Sequence, residues 1–504
     1  MTEIVRQQQF ERLLWFGAAL FAVFVFALLM VSNEFLLVLA VGGVLWLALL
    51  PYHSRLASSI ALVTFASAFM VPGFPGRPFV WEFASLLGWS GAVITFALRR
   101  YSPDFPKIFR QNRWLFIWGF FYVCALVFTM RMRGTGLRIF GGERMGGRVY
   151  FQQVSVAVFP VLFMMVPFSP NQLVKLYLWQ CVLSLSFIVS DLALASGSSM
   201  YWLLNFLELS NDSLSFEVAS MTQGFRRFQS LASVSLAFFQ LLLVLVPIRD
   251  FINRRAWITL PPVVLLLGLG FLGGHRALLV MISLTFLGVG WAQRVFTPPR
   301  VMILSLLLTF ALTTAYLVGD RLPLAAQRAL TILPGIHLDP FAEQDAAATL
   351  HGRTLMRNAG MRLIPHFLWI GRGFGQTDTV QAQWMTDDPN VNSQIESGTF
   401  YNGPVGLMVN TGLAGGVSMM AFIACGAFLA IRILKRVRQI GCESPFRRLC
   451  CVVAALYLTH TFVFTFLHGD SQFAMLLFAL QTGLLVACSR HLFAPVPTPD
   501  AQPE

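Results

Sequence analysis

The sequence predicts an all-α, polytopic membrane protein, and its composition and its hydropathy both point to that fold class. Of the 504 residues, 56% are hydrophobic and only 12% are charged, and the mean hydropathy is +0.68. Soluble domains carry about 25% charged residues. Apolar runs of roughly 17–25 residues recur along the chain, and each could cross a hydrocarbon core about 30 Å thick. These observations exclude a soluble enzyme.

The apolar runs predict about fourteen transmembrane helices. Residues 1–318 are expected to hold the first eleven helices, and residues 319–403 a large external loop domain that is partly helical. Residues 404–490 are expected to hold the last three helices, and residues 491–504 a tail. The predicted helices begin near residues 13, 34, 56, 80, 114, 150, 174, 230, 257, 276, 301, 404, 449 and 471.

The distribution of basic residues predicts the orientation in the membrane. The net charge is +13, and short cytoplasmic loops of membrane proteins are enriched in Lys and Arg. With the N terminus in the cytoplasm, more than half of the 36 basic residues fall on that side, including the only three lysines, Lys107, Lys175 and Lys435. Both termini are therefore expected in the cytoplasm.

The opposite side carries only arginine, a residue whose planar fork matches phosphate and carboxylate. Residues 131–150 hold five arginines among glycines, and Arg226 and Arg227 come just before a span. One interpretation is an anion-binding mouth, whose glycines allow backbone N–H groups to approach a phosphate. The alternative is a set of side chains that reach the lipid headgroups as interfacial anchors.

A third arginine-containing segment, Gly274-His275-Arg276, joins two spans with almost no loop. So tight a hairpin places Arg276 at the membrane surface or slightly inside it. A charge there is costly unless an anion pairs with it. The position of Arg276 therefore favours a functional role.

The external segment predicts one helix, over residues 352–368. Arg353 and Arg357 are four residues apart and share a face of this helix, whereas Arg362 lies about half a turn away from Arg353. Gly371-Arg-Gly-Phe-Gly375 is expected to end the helix.

Common catalytic sequence motifs do not identify a function for this chain. Gly268-Leu-Gly-Phe-Leu-Gly273 fits a dinucleotide-binding pattern, but it lies inside an apolar span and follows no predicted strand. Close packing between helices is the better interpretation of these glycines. No convincing metal-ligand cluster is present, and no cofactor is expected.

Four segments, which begin at Arg227, Gly274, Gly352 and Phe400 and lie within roughly residues 220–420, together resemble the O-antigen polymerase and O-antigen ligase superfamily. Arg227-Phe-Gln-Ser is similar to the family's arginine segment, and Gly274-His-Arg-Ala-Leu-Leu279 to its hairpin. Gly352-Arg353-Thr-Leu-Met, followed by Pro365-His-Phe-Leu-Trp-Ile-Gly-Arg-Gly-Phe-Gly375, resembles its external-loop signature, and Arg362 and Gly373 have the Arg-ten-Gly spacing of polymerases. Phe400-Tyr-Asn-Gly-Pro, with Thr411-Gly-Leu-Ala-Gly415, resembles the stretch that opens its next span.

One departure concerns the proton acceptor. The resemblance implies a histidine before the asparagine of the last segment, as the base in ligases, but this position holds Tyr401. Tyrosine has an ordinary pKa near 10 and is a poor base at neutral pH. The open alternatives on the external side are His275, His366, His468 and Glu396. The substitution weakens the ligase interpretation more than the polymerase one.

The resemblance implies a GT-C-like inverting, metal-independent glycosyltransferase of the bacterial inner membrane. It would polymerise oligosaccharide units carried on undecaprenyl pyrophosphate, at an active site that faces the periplasm. Its expected partners are this lipid-linked glycan, the bilayer and a chain-length regulator, with no nucleic acid. The alternatives are a ligase that transfers the glycan to lipid A core or protein, and a flippase for lipid-linked oligosaccharides. A flippase predicts two similar halves, which the sequence does not show.

The same resemblance, with the arginine chemistry, implies three sets of site residues. The residues expected to bind pyrophosphate are Arg226, Arg227, Arg276, Arg353, Arg357 and Arg362. The residues expected to act in catalysis are Arg276, Arg353, Tyr401 and His275. The residues expected to contact the acceptor sugar are Trp369, Trp384, Tyr401 and Asn402.

Overall fold

Helices dominate the computed structural model, which describes residues 35–72, 77–99, 101–135, 146–208, 230–251, 256–374 and 389–493. Within these ranges there is no strand, only two isolated β-bridges near Phe69. The α-helices are α1 (Phe35–Ala48), α2 (His53–Thr64), α3 (Val80–Ala97), α4 (Phe105–Gln111), α5 (Arg113–Arg133), α6 (Gly147–Val156), α7 (Phe159–Met165), α8 (Pro170–Leu183), α9 (Ser186–Ala195), α10 (Ser230–Leu245), α11 (Ala256–Leu272), α12 (Arg276–Ala292), α13 (Pro298–Val318), α14 (Leu324–Leu330), α15 (Pro340–Phe367), α16 (Pro389–Ser397), α17 (Gly403–Ile440), α18 (Pro445–Phe462) and α19 (Ala474–Leu492).

The described chain contains eight helical segments that are long and apolar enough to cross a membrane. Three shorter apolar helices, α10, α11 and α12, accompany them. The eight segments are Val80–Ala97, Arg113–Arg133, Gly147–Met165, Pro170–Ala195, Pro298–Arg321, Gly403–Ile440, Pro445–Leu467 and Ala474–Leu492. The prediction of an all-α, polytopic membrane protein is confirmed.

The core of the bundle forms around α17, the longest helix, which packs against α5, α18 and α19. Most of α19 is buried, as is the middle of α18. Glycines bring these helices close together: Gly426 faces Tyr457 of α18, and Gly119 of α5 faces Phe422 of α17. Close contact maximises dispersion between helices that have little water to exclude.

Two glycines of the dinucleotide-like pattern lie in helix contacts, as predicted. A Cβ atom on Gly273 would lie 2.9 Å from the Cβ of Ala232, and one on Gly270 would lie 3.3 Å from the Cβ of Ser235. Gly268 has open space around it. The pattern therefore contributes to the packing of α11 on α10.

The register of α12 and α18 defines two ends of the bundle. The hydroxyls of Thr285 and Thr459 are 3.3 Å apart, and Gly288 packs on Ala455. The second contact pairs a later residue of α12 with an earlier residue of α18, so the two helices are antiparallel. Counted back from the threonine pair, Arg276 at the start of α12 lies level with His468, beyond the end of α18. At the far end of α18, Arg448 donates hydrogen bonds to the carbonyls of α10's last residues.

Arg148, in the arginine-rich segment 131–150, has a structural role. Arg148 is buried and forms an ion pair with Glu82, with Nη2 and Oε2 3.1 Å apart. Gln152 and the backbone N–H of Phe79 also donate to this carboxylate. The anion-binding interpretation is therefore wrong for Arg148, whose charge is already paired. Arg138 and Arg144 lie outside the described residues.

We expect Glu82→Gln to destabilise the bundle by about 3–5 kcal/mol, because it leaves the Arg148 guanidinium buried without a countercharge. The thermal midpoint in detergent measures the loss. The double variant Glu82→Leu/Arg148→Met removes both charges and should recover most of it. An unchanged midpoint in Glu82→Gln would contradict a paired, buried Arg148.

Candidate functional site at the arginine end of the bundle

Helix α15 organises the end of the bundle at which Arg276 lies. The predicted helix over residues 352–368 is confirmed, and it begins earlier, at Pro340, where the Asp339 side chain accepts a hydrogen bond from the N–H of Phe341. Its apolar face packs against α16 and the start of α17. The buried residues of this contact are Met356, Ala359, Leu363, Phe367, Ile395, Phe400, Val405 and Val409.

The first cluster of polar side chains, the hairpin cluster, joins the α11–α12 turn to α14 and α15. Arg276 donates through Nη2 to the carbonyl of Ala346, at 3.0 Å. Arg328 donates to the Gly274 carbonyl at 2.7 Å and forms an ion pair with Asp345. Arg276 is half-buried, close to both Arg328 and Asp345. Two cations and one carboxylate leave a positive charge at this turn.

Arg328 belongs to this cluster, although the sequence did not identify it as a residue of the site. It is buried, and it bonds to Gly274, Asp345 and the Thr349 hydroxyl. The sequence signal was present, since Arg328 is one of the arginines of the external segment. Only the fold shows that α14 brings it beneath the hairpin.

The second cluster, the Arg353 cluster, lies where α17 begins. The guanidinium of Arg353 stacks over the Tyr401 ring, 5.3 Å from its centroid. Tyr401 has a positive φ of 46°, a conformation that is uncommon outside glycine. Asn402 then caps α17, because its side-chain oxygen accepts from the N–H of Val405 at 3.1 Å.

His468 belongs to the same cluster. Gly469 packs so closely on the start of α17 that a Cβ atom there would lie 2.9 Å from the Cα of Gly403. Burial lowers the pKa of the His468 imidazole below its ordinary 6.5, and the nearby charge of Arg353 lowers it further. The imidazole is therefore neutral at physiological pH and can accept a proton.

The two clusters lie on one face of α15. Ala346, which holds Arg276, and Arg353 are seven residues apart, which is about two helical turns and about 10 Å along the axis. Arg276 is also level with His468 in the register of α12 and α18. The structure thus brings together Arg276, Arg353, Tyr401 and His468 at one end of the bundle.

A break in α17 fixes the segment that follows α15. Gly412 has a φ of 70°, so the helical hydrogen bonds around it are missing. The segment supplies replacements: the N–H of Arg372 donates to the Val409 carbonyl at 2.7 Å, and that of Gly373 to the Asn410 carbonyl at 2.9 Å. The N–H of Leu413 donates to the Leu368 carbonyl at 2.7 Å.

Arg372 ties this segment to α16. Its side chain is buried and donates to the carbonyl of Ile395 at 2.6 Å and to that of Glu396. Burial lowers the pKa of Arg372 to about 10, so the group stays charged at neutral pH. Carbonyls at a helix C terminus carry partial negative charge, which stabilises the cation.

The remaining residues of the predicted site are spread more widely. Arg357 and Arg362 are exposed on α15, and Arg362 lies on the opposite face from Arg353. Trp369 is 79% exposed, and His275 directly precedes α12. Arg226, Arg227 and Trp384 lie outside the described residues.

Among the described residues, no group of three or more His, Cys, Asp or Glu side chains could hold a metal ion. No family model matches the chain, and a comparison with curated proteins also gives no match.

We expect Gly371→Ala to displace the segment that crosses the break in α17. A Cβ atom on Gly371 would lie 2.6 Å from the Thr411 carbonyl carbon, inside backbone that cannot move alone. Overpacking of this kind costs about 1–3 kcal/mol, which a lower thermal midpoint would show. Gly268→Ala is the control, since that glycine has open space around it. Equal midpoints for the two variants would contradict the contact.

Proposed function

We propose that the protein is an inverting, metal-independent glycosyltransferase that polymerises undecaprenyl-pyrophosphate-linked oligosaccharide units at the periplasmic face of the bacterial inner membrane. The observation that carries the proposal is the convergence of Arg276, Arg353, Tyr401 and His468 at one end of an apolar bundle. Such a site offers cations to an anionic headgroup and polar groups to a sugar.

The chemistry places the arginines at the leaving group. An acceptor hydroxyl attacks the anomeric carbon of the donor, and the bond between that carbon and the pyrophosphate oxygen breaks. Negative charge grows on the departing lipid pyrophosphate, and preorganised cations stabilise it. Arg276 and Arg353 are both half-buried, where such stabilisation is stronger than in water. Because arginines can supply this stabilisation, we propose a reaction that needs no metal ion.

The proposed membrane arrangement has fourteen spans and a GT-C-like architecture, with both termini in the cytoplasm. The eight candidate spans and the additional apolar helices support it. The end of the bundle at Arg448 and Arg249 would face the cytoplasm, in line with the positive-inside rule. The end with Arg276 and α15 would then face the periplasm, where a lipid-linked glycan is displayed.

The acceptor glycan is proposed to approach along α15 toward Tyr401. Trp369, at the end of α15, exposes an aromatic face on which a sugar ring can stack. Asn402 acts first as the cap of α17, so its contribution to the acceptor would be to position Tyr401. Arg357, exposed one turn after Arg353 on α15, is proposed as a secondary contact for the anionic donor, whereas the position of Arg362 on the opposite face argues against the predicted contact.

We expect Arg276→Ala and Arg353→Ala each to lower polymerisation about a hundredfold, the effect of one lost transition-state contact. The measurement uses purified protein in nanodiscs, EDTA and a short synthetic lipid-pyrophosphate-linked repeat unit, and it follows the product ladder by mass spectrometry. Arg110→Ala, an exposed arginine of α4, should keep the wild-type ladder.

Other outcomes of this assay would identify a different function. A single transfer that requires lipid A core or a peptide would make the protein a ligase. Movement of the lipid across the bilayer without bond formation would make it a flippase. A ladder that disappears with EDTA would contradict the metal-independent reaction.

A further inference from the structure

We propose that His468 is the general base that accepts the proton of the acceptor hydroxyl. This inference rests on the proposed function, and it supplies the base that Tyr401 does not provide. Three residues form the site of this step, and they come from separate elements: Arg353 from α15, Tyr401 from the residues before α17, and His468 from the turn after α18.

Geometry places the turn that holds His468 against the start of α17, next to Tyr401. A Cβ atom on Gly469, its neighbour, would lie 2.9 Å from the Cα of Gly403, which is two residues beyond Tyr401. The N–H of His468 donates to the Val463 carbonyl at 2.9 Å, which fixes the turn at the end of the π-helical segment Val463–Leu467. The imidazole lies close enough to the Arg353 guanidinium, which stacks on Tyr401, for the two groups to interact electrostatically.

The electrostatic surroundings keep His468 in its basic form. The groups around it are Arg353 of α15, Tyr401 before α17, His460 of α18 and Asp470 of its own turn. Burial and the charge of Arg353 hold its pKa below 6.5. A neutral imidazole can accept a proton directly, whereas the Tyr401 phenol would first have to ionise.

The other candidate bases are placed less well. His366 is exposed, and it lies thirteen residues from Arg353, about 20 Å along α15. Glu396 is exposed on α16, where its carbonyl accepts from Arg372. His275 directly precedes Arg276 and lies in the hairpin cluster, whereas Tyr401 and His468 lie in the Arg353 cluster.

The proposed step balances as a simple substitution with proton transfer. The acceptor oxygen forms a bond to the anomeric carbon as the bond to the pyrophosphate oxygen breaks, which inverts the configuration. The hydroxyl proton moves to a ring nitrogen of His468, and the electron pair leaves with the lipid pyrophosphate. The imidazolium then returns its proton to solvent.

The test compares wild type, His468→Gln, His275→Gln and His337→Gln in the ladder assay across pH. We expect His468→Gln to lower kcat about 10²–10⁴-fold with little change in the donor KM, because general-base catalysis contributes about that factor. Wild-type activity should fall as the pH drops through the pKa of His468, below 6.5, and the remaining activity of His468→Gln should lack this fall. His337→Gln changes an exposed histidine and should behave like wild type.

Three results would overturn the assignment. The first is a wild-type kcat in His468→Gln. The second is an activity that still falls at acidic pH in His468→Gln but no longer does so in His275→Gln. The third is a loss of activity matched by a lower thermal midpoint in both His468→Gln and His468→Asn, which would make the role structural. Absence of any ladder in the wild type would instead reject the polymerase, so the two failures are distinguishable.

Discussion

The arrangement of this end of the protein depends on the backbone hydrogen bonds that are made across the break in α17 at Gly412. A membrane helix that loses hydrogen bonds must replace them within the protein, since lipid offers none. Here the segment after α15 replaces them, through the N–H groups of Arg372 and Gly373 and the carbonyl of Leu368. The external helices are therefore fixed to the membrane bundle by backbone bonds, which fixes the position of Arg353 over Tyr401.

The arginines at this end have two kinds of role. Arg328 and Arg372 are buried and donate to backbone carbonyls, and so hold loops and helix ends together. Arg276 of α12, which donates to the Ala346 carbonyl, and Arg353 of α15 are only half-buried, and both lie along one face of α15. A buried cation needs carbonyls or a carboxylate, whereas a half-buried one can also meet a ligand anion. This difference separates the scaffold from the proposed site.

The sequence was sufficient for the fold class and for helix α15, because hydropathy and helical periodicity are local properties. It also singled out Arg276, since a charge in so short a hairpin is unusual, and the role of this residue in the site stays a prediction. It could not separate Arg148, with its buried partner Glu82 66 positions earlier, from an anion-binding residue. Nor could it place His468 near Arg353, because that proximity depends on how the turn after α18 packs against the start of α17. Long-range packing, which no local pattern encodes, decided both.

Binding of undecaprenyl pyrophosphate itself tests the central claim most directly, without any need for catalysis. Its affinity in nanodiscs can be measured for wild type, Arg276→Ala, Arg353→Ala and the double variant. If both arginines bind one headgroup, each single change weakens binding and the two effects are not additive. Inorganic pyrophosphate should compete with the lipid for wild type. Equal affinity in all four proteins would contradict a shared pyrophosphate site at the arginine end of the bundle.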